Sequence, residues 1–426
     1  MPHVQLTGYS YFGAQDPRFK VVTTSEGLQE VHNVLAASSV YAKDYEGTGL
    51  RWWAGDAPCG VSFSARPDPK GEIQSFYIPY RHVTGQTQVD PHAAITLSRT
   101  FDEDPDKWKV FHNRKFDDHY GRRDGIHLQG PVSDTMLEAR MYNEDLSAGL
   151  KNRALTDLGD PDAKLHEDLL NLDLTRLGAA RGLSKTRYLD VFGYASMDIF
   201  LCGRYAAHDT YFTLLLREFY EQEGVRDYYS RSPRGEEHWG IWPTEMYLAE
   251  VLTDMEEVGV PVDVDHIHAM HKHCSAEKQA AEFAFFKETG LEWFKLGSDD
   301  VLRERLQQMG VPLTKRTKAG QLAVDGEVLR AGMAKCPSLK WVLRYRDVDK
   351  LLSTYTLSLL EYVDEFGILH PNYQQLGTNT GRLSCREPNF QNQPSGVDLA
   401  FLRDILGFDE EHLKACAAFE NVKHIF

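Results

Sequence analysis

The sequence predicts an α/β domain built on a mixed sheet, followed by a mainly helical region. Three observations carry the prediction. Up to about residue 225, short apolar runs bounded by Gly, Pro and Asp alternate with amphipathic stretches. Beyond about residue 240 the 3- and 4-residue spacing of helices takes over. And 426 residues are more than one ordinary domain needs. In order, segments 19–22, 38–46, 59–65, 75–80 and 108–113 read as strands, and the helix after the first takes Ser25 as its N-cap. Segment 227–240 is polar and turn-rich and reads as a linker. A helix over 244–258 carries Leu248, Leu252, Met255 and Val258, with Gly259 at its C-terminal end. A longer helix over 338–364 has an apolar stripe of Val342, Tyr345, Val348, Leu352, Tyr355, Leu359 and Val363.

Composition narrows the class. With 42% hydrophobic and 26% charged residues the chain is globular rather than disordered or fibrous. It has no apolar run long enough for a membrane span, and its start, MPHVQLTGYSYFG, is not a signal peptide. Cys59, Cys202, Cys274, Cys336, Cys385 and Cys416 form no CxxC pair, which fits a reducing cytoplasm. The net charge of −16 excludes nucleic-acid binding through the overall field, so any such contact must come from local patches.

Three short sites carry chemistry. Asp44 and Glu46 sit two apart at the end of a strand, and period-2 alternation points both to one face, where they can share a metal. Asn113 ends a strand, and Asp117 follows four residues later at the start of a helix. Tyr205 and Asp209 are i and i+4 on a helix and project from one face. Carboxylate oxygens suit hard ions such as Mg²⁺ or Mn²⁺, and two such ions can clamp the attacking and leaving oxygens of a phosphodiester. A single D-x-E pair is usually solvated surface; the three sites together, in this order, are not.

The set resembles the motifs of the DEDDy 3′–5′ exonucleases attached to family A DNA polymerases. The resemblance implies an RNase H-like fold over 1–226. It implies Asp44, Glu46 and Asp209 on one ion, with Asp44 and Asp117 serving a second. It also implies an attacking water oriented by Tyr205 and Glu46, and release of nucleoside monophosphates. Asp134, in a further family-like stretch, reads as a structural cap. Two residues depart from the pattern: Tyr45 replaces the usual Thr, and Lys43 replaces an apolar residue. Alternation turns Lys43 away from Asp44, toward solvent on the other side of the strand.

Residues 311–355 hold nine Lys/Arg against four Asp/Glu, with Lys315, Arg316 and Lys318 in a loop and Arg344, Arg346 and Lys350 on the long helix. These suit contacts to phosphates. Segment 370–394 resembles the thumb–palm junction of family A polymerases. That likeness implies backbone contacts to primer and template from Thr378, Thr380, Arg382, Ser384, Asn389, Gln391 and Asn392, with Asn113 as a further DNA contact. The region 241–369 then reads as palm-entry and thumb helices, a thumb-like region, and 395–426 as a divergent tail. No polymerase metal motif is present; if AAFENVKHIF aligns with it, Ala418 and Lys423 replace its acidic residues. His268, His271 and Cys274 are spaced for a metal, but without a completing ligand an exposed helix face is the expectation.

The resulting expectation is a cytoplasmic 3′–5′ exonuclease, in a bacterial host if phage-encoded. It would act on single-stranded 3′ ends and primer–template DNA as the N-terminal part of a family A polymerase that is either split, with a separate polypeptide supplying the palm and fingers, or truncated. The rival readings are a stand-alone nuclease and a non-catalytic DNA-binding or assembly subunit.

Overall fold

The structure is a computed structural model that describes residues 18–231, 240–389, 391, 393 and 396–425. The N-terminal stretch read as lacking a signal peptide, most of the proposed linker, and Asn392 lie outside the described residues. Two compact units are present. One comprises residues up to Glu257 together with Tyr373–Ser384, the other Val258–Asn372 together with Cys385–Phe426.

The first unit is the expected mixed sheet flanked by helices. Strands β1 (Phe19–Val21), β2 (Val40–Gly47), β3 (Pro58–Ala65), β4 (Gln74–Pro79), β5 (Trp108–Phe111) and β6 (Val132–Asp134) lie in the order β1-β4-β3-β2-β5-β6. β3 runs antiparallel to both its neighbours, and β2–β5, β5–β6 and β1–β4 are parallel. β6, three residues of mixed polarity, had no run long enough to be read from the sequence.

Helices cover both faces. α1 (Ser25–Ala37) and α2 (Pro91–Asp102) pack Val31, Leu35, Leu97 and Phe101 against Tyr41, Phe63 and Phe76. The cap of α1 is Thr24 rather than Ser25: its side chain takes the Gly27 amide. α3 (Arg114–Arg123) and α4 (Thr135–Tyr142) follow β5 and β6, and α5 (Leu150–Thr156), α6 (Leu165–Ala179) and α7 (Lys185–Phe192) lead to the 24-residue α8 (Ile199–Gln222). α8 crosses the opposite face of the sheet and is capped by Asp198, which accepts from the Phe200 and Leu201 amides; such a cap contributes about 1 kcal/mol. Its close approach depends on small residues. A Cβ at Gly203 would lie 2.7 Å from Val21 and 2.8 Å from Tyr77, and Ser64 reaches Thr210 at 2.8 Å.

Two boundaries differ from the sequence reading. Val225–Ser230 is a short helix, α9, because Val225 is buried with Leu216 and Tyr220; the polar composition of 227–240 hid it. α10 (Ile241–Val258) belongs with the first unit, since Trp242 and Met246 join the core of Leu137 and Met141, and Lys115 and His119 pair with Glu256. Its buried face is Trp242, Met246, Ala249, Leu252 and Glu256, so of the predicted stripe Met255 and Val258 face outward. The ion pairs of Glu256 lie on the same buried side as Trp242 and Met246.

The second unit is mainly helical, as expected. β7 (Val260–Pro261) pairs with β8 (Ile368–Leu369), and α11 (Val264–Thr289), α12 (Asp299–Gln308), α13 (Gly326–Gly332) and α14 (Leu339–Tyr355) build its core. The stripe of α14 is buried at Val342, Tyr345, Val348 and Tyr355. The helix stops at Tyr355, short of 364, because Thr356 leaves helical geometry and bonds back to the Leu352 carbonyl, and Ser358 reaches Ser353. In sequence, strands β9 (Asn372–Gln374) and β10 (Ser384–Arg386) bracket the stretch Tyr373–Ser384 that belongs to the first unit. The tail is folded: α15 (Glu410–Phe419) buries Leu413 and Cys416.

Candidate active site

The site is built on the pleat of β2. Asp44 and Glu46 face α8, whereas Tyr41, Lys43 and Tyr45 face the other way. Lys43 does not reach solvent. It is 1% exposed, ion-paired to buried Asp102, and donates to the Tyr45 hydroxyl at 2.8 Å. The two departures from the family pattern therefore explain each other, since the bulky Tyr45 hydroxyl and Asp102 accept the ammonium that a smaller residue would strand. What the sequence lacked was the partner, 59 residues away.

Asp117 reaches this strand from α3. The pairing of β2 with β5 stops at Ala42, and farther along the strand the Tyr45 amide donates to Asp117 Oδ1 at 2.9 Å. Asp44 stands close enough that its charge raises Asp117. The turn into α3 needs Asn113 at φ 78°, ψ 57°, a left-handed conformation that Asn tolerates. Asp134 holds that turn, accepting from the amides of Asn113 (3.0 Å), Arg114 (2.8 Å) and Met136 (2.8 Å), so it is the structural cap expected.

Tyr205 and Asp209 stand one turn apart on α8, facing the same carboxylates. The turn before α8 is pressed onto the end of the D-x-E segment. Gly193, at φ +59°, leaves only 2.2 Å between an added Cβ and the Thr48 carbonyl. The structure thus brings Asp44, Glu46, Asp117, Tyr205 and Asp209 together, and adds one residue that the sequence reading missed. Lys151, 8% exposed on α5, is ion-paired to Asp209 and lies 4.8 Å from the Tyr205 ring centroid. A lone lysine in a short helix far from every motif gives no sequence signal.

The electrostatics are those of acids short of counter-charge. Burial raises Asp44 to about 6 against the pull of Lys151, and burial and then Asp44 raise Glu46 and Asp117. Burial lowers Lys151 to about 8, opposed by Asp44, Glu167 and Glu46. Burial and Glu46 keep the Tyr205 hydroxyl protonated. Oxygen-only donors with this charge deficit, among them Glu46, Asp117 and Asp209 buried, fit divalent ions.

The basic region is different from its reading. Arg344 is 2% exposed and bonds Glu277, Glu420 and Cys416, so it cannot contact DNA. Its charge is spent on acids that lie far away in sequence. Arg346 is tied to Asp299 at 2.5 Å and to the Val324 carbonyl, and Lys315 to Asp325 and Glu327. Lys350 is exposed. Thr380, Arg382, Asn389 and Gln391 are exposed as well, and Thr378 and Ser384 are half-buried; Thr378 accommodates the turn by donating to the Arg382 carbonyl at 3.0 Å. The spaced set of His268, His271 and Cys274 is not assembled. His268 is exposed, His271 meets Thr356, and Cys274 is core. Among the described residues, other sets with ligand-like spacing are His273, Cys416 and Glu420, and Glu277, His412 and Cys416. The Arg344 guanidinium already fills that space.

A mixed sheet with clustered acids on one strand and a crossing helix defines a nuclease-type domain joined to a helical unit. Residues 19–223 match the family described as 3′–5′ exonuclease, and residues 264–417 match DNA polymerase family A. The chain thus carries, in this order, a stretch of the exonuclease family and a stretch of DNA polymerase family A. It is 29% identical over 393 residues to DNA polymerase I of Chloroflexus aurantiacus, covering 89% of this chain and 38% of that protein. It is 28% identical over 391 residues to DNA polymerase I of Pseudomonas aeruginosa, covering 88% and 39%. The polymerase domain of the M. smegmatis enzyme, solved with primer–template DNA and dNTP, shares the fold at TM-score 0.63 and 21% identity, over 89% of this chain and 56% of that one. The chain thus spans about two fifths of the curated relatives' length. Among the described residues no helix is long and apolar enough to cross a membrane.

Proposed function

We propose that this chain is a 3′–5′ exodeoxyribonuclease of the DEDDy kind, which removes nucleoside monophosphates from a frayed 3′ end. The observation that carries the reading is the convergence of Asp44, Glu46, Asp117 and Asp209 from a strand and two helices on one pocket, with Tyr205 beside them. Asp44, Glu46 and Asp209 would hold one divalent ion, and Asp44 with Asp117 a second, Mg²⁺ or Mn²⁺. When bound, the ions supply Lewis acidity and lower the pKa of the attacking water. The protein's own part is positional. The Tyr45 amide fixes Asp117, the α8 register fixes Tyr205 against Asp209, and the protonated Tyr205 hydroxyl donates to the attacking water while Glu46 accepts its proton side.

Substrate contacts are assigned to Asn113, Lys350, Thr378, Thr380, Arg382, Ser384, Asn389 and Gln391. Arg344 is withdrawn from that set, and Arg346 contributes only if it leaves Asp299. Elongation is assigned to residues outside this sequence, since it contains no polymerase metal motif. The exposed stripe of Tyr247, Val251 and Met255 on α10 supports this, as a face that a further protein segment would cover.

The test uses a 5′-labelled primer, single-stranded or annealed, with Mg²⁺ or Mn²⁺, with and without dNTPs. Stepwise 3′ shortening by the wild type and none by Asp44→Ala/Glu46→Ala is expected. No shortening by either would leave a DNA-binding or assembly subunit, and extension with dNTPs would overturn the assignment of elongation.

A further inference from the structure

The mechanism above leaves unused a buried charged group that pairs with one of its acids. Lys151 projects from α5, pairs with Asp209, and is held over the faces of Tyr205 (4.8 Å) and Phe212 (5.7 Å). Its ammonium also interacts with Asp44 and Glu46, the other two ligands assigned to the first ion, and with Glu167 on α6. A chance lysine at the rim of an acidic pocket would snorkel outward, because its stem is flexible and its head prefers water. This one is 8% exposed and points inward. Its backbone is fixed by the neighbouring Arg153, which donates to the carbonyls of Ala139, Asn143 and Leu146.

We infer that Lys151 is a tethered cation that occupies the first ion's place in the ion-free site and competes with divalent ions for Asp44, Glu46 and Asp209. Two cations cannot share the same few ångströms of a buried pocket without large repulsion. Ion loading therefore requires the ammonium to leave Asp209, and Glu167 is the acid it can turn toward on the way out. The lysine has two effects. It stabilises an ion-free site that would otherwise hold only acids, and it weakens ion binding by the free energy of the pair it gives up. Loading then becomes conditional: contacts that draw the ammonium away, such as an entering phosphodiester, favour the ions. The inference rests on the ligand assignment proposed above.

The experiment compares wild type, Lys151→Met and Lys151→Gln in full-length protein without DNA. Mn²⁺ affinity is read by calorimetry and by the loss of free Mn²⁺ signal in electron paramagnetic resonance, and melting temperature with and without Mn²⁺. Both variants are expected to bind Mn²⁺ about tenfold more tightly than wild type, a coupling of ordinary size. They should also melt lower than wild type when ion-free and gain more on adding Mn²⁺. Equal affinity and equal Mn²⁺-induced stabilisation in all three proteins would overturn the competition while leaving the ion site intact. Weaker binding in both folded variants would make Lys151 a supporting group and overturn it too. Absence of Mn²⁺ binding in wild type and variants alike would instead remove the ligand assignment, and the inference with it.

Discussion

Two buried acid clusters in this chain obey opposite rules. In the second unit, Glu277 and Glu420 meet Arg344, which bonds both, while His273 reaches Glu420 at 2.9 Å and His412 reaches Glu277 at 2.6 Å. Every acid there has a cation supplied by the fold. In the first unit, Lys151 is paired to Asp209 and pulls on Asp44 and Glu46, and Lys43 pulls on Asp117, yet burial outweighs both and raises Asp44, Glu46 and Asp117. Direction of titration separates the two. Burial raises Glu420 but hydrogen bonds from Arg344 and His273 overcome it and bring it to about 2, whereas Asp44 is pushed up to about 6. A cluster that balances itself is architecture; one left in deficit is a place prepared for ions. Residue type alone does not distinguish them, as both contain Glu, a basic side chain and a histidine nearby.

The comparison breaks most visibly at Arg344. Arg344→Met should leave Glu277 and Glu420 buried without their cation and cost about 3–5 kcal/mol, read as a lowered denaturant midpoint of the full chain. A loss below about 1 kcal/mol would mean that the cluster is solvated and not structural.

The opposite sign is expected at Asp44. Its folded pKa lies above the unfolded value of 3.8, so its charged form costs stability in ion-free protein once the pH exceeds that range. Asp44→Asn should therefore stabilise ion-free protein at neutral pH, by roughly 1–3 kcal/mol, and abolish the gain from Mn²⁺. Melting curves in a chelator, then in Mn²⁺, check both halves.

A pH scan sharpens the contrast further. Glu420 has a folded pKa below its unfolded value of 4.5, so its contribution is complete above about 4.5 and disappears as pH falls toward about 2. The stability difference between wild type and Glu420→Gln should shrink across that window and be flat above it. Smallest of all, Arg382→Ala should lower the salt slope of duplex binding by about one, without altering either cluster.

How much of this was legible follows from where the information lies. Strand alternation in 40–47 and the helical i, i+4 relation of Tyr205 and Asp209 are local, so Asp44, Glu46 and Asp209 could be placed on faces before any fold was known. Asp117 was readable as a motif, but its anchor, the Tyr45 amide, was not. Lys43 and Arg344 were misread for one shared reason. Each is a basic residue whose partner, Asp102 or Glu277 and Glu420, is distant in sequence, and a charge without a visible partner is naturally read as exposed. Lys151 was invisible on the same grounds. α10 shows the related limit for apolar residues, since its buried side runs through Trp242, Met246 and Leu252 and includes the ion-paired Glu256, while Met255 and Val258 of the stripe are exposed.

The contact between Gly193 and Thr48 has a consequence for how this activity can be lost. A single methyl group there, on a residue that carries no charge itself, would push the start of α8 off the end of the D-x-E segment and separate Tyr205 and Asp209 from Asp44 and Glu46. Random mutagenesis selected for loss of hydrolysis should then yield alleles at Gly193 beside those at the acids. Such alleles would be deaf to added metal, because the damage is one of distance and not of charge.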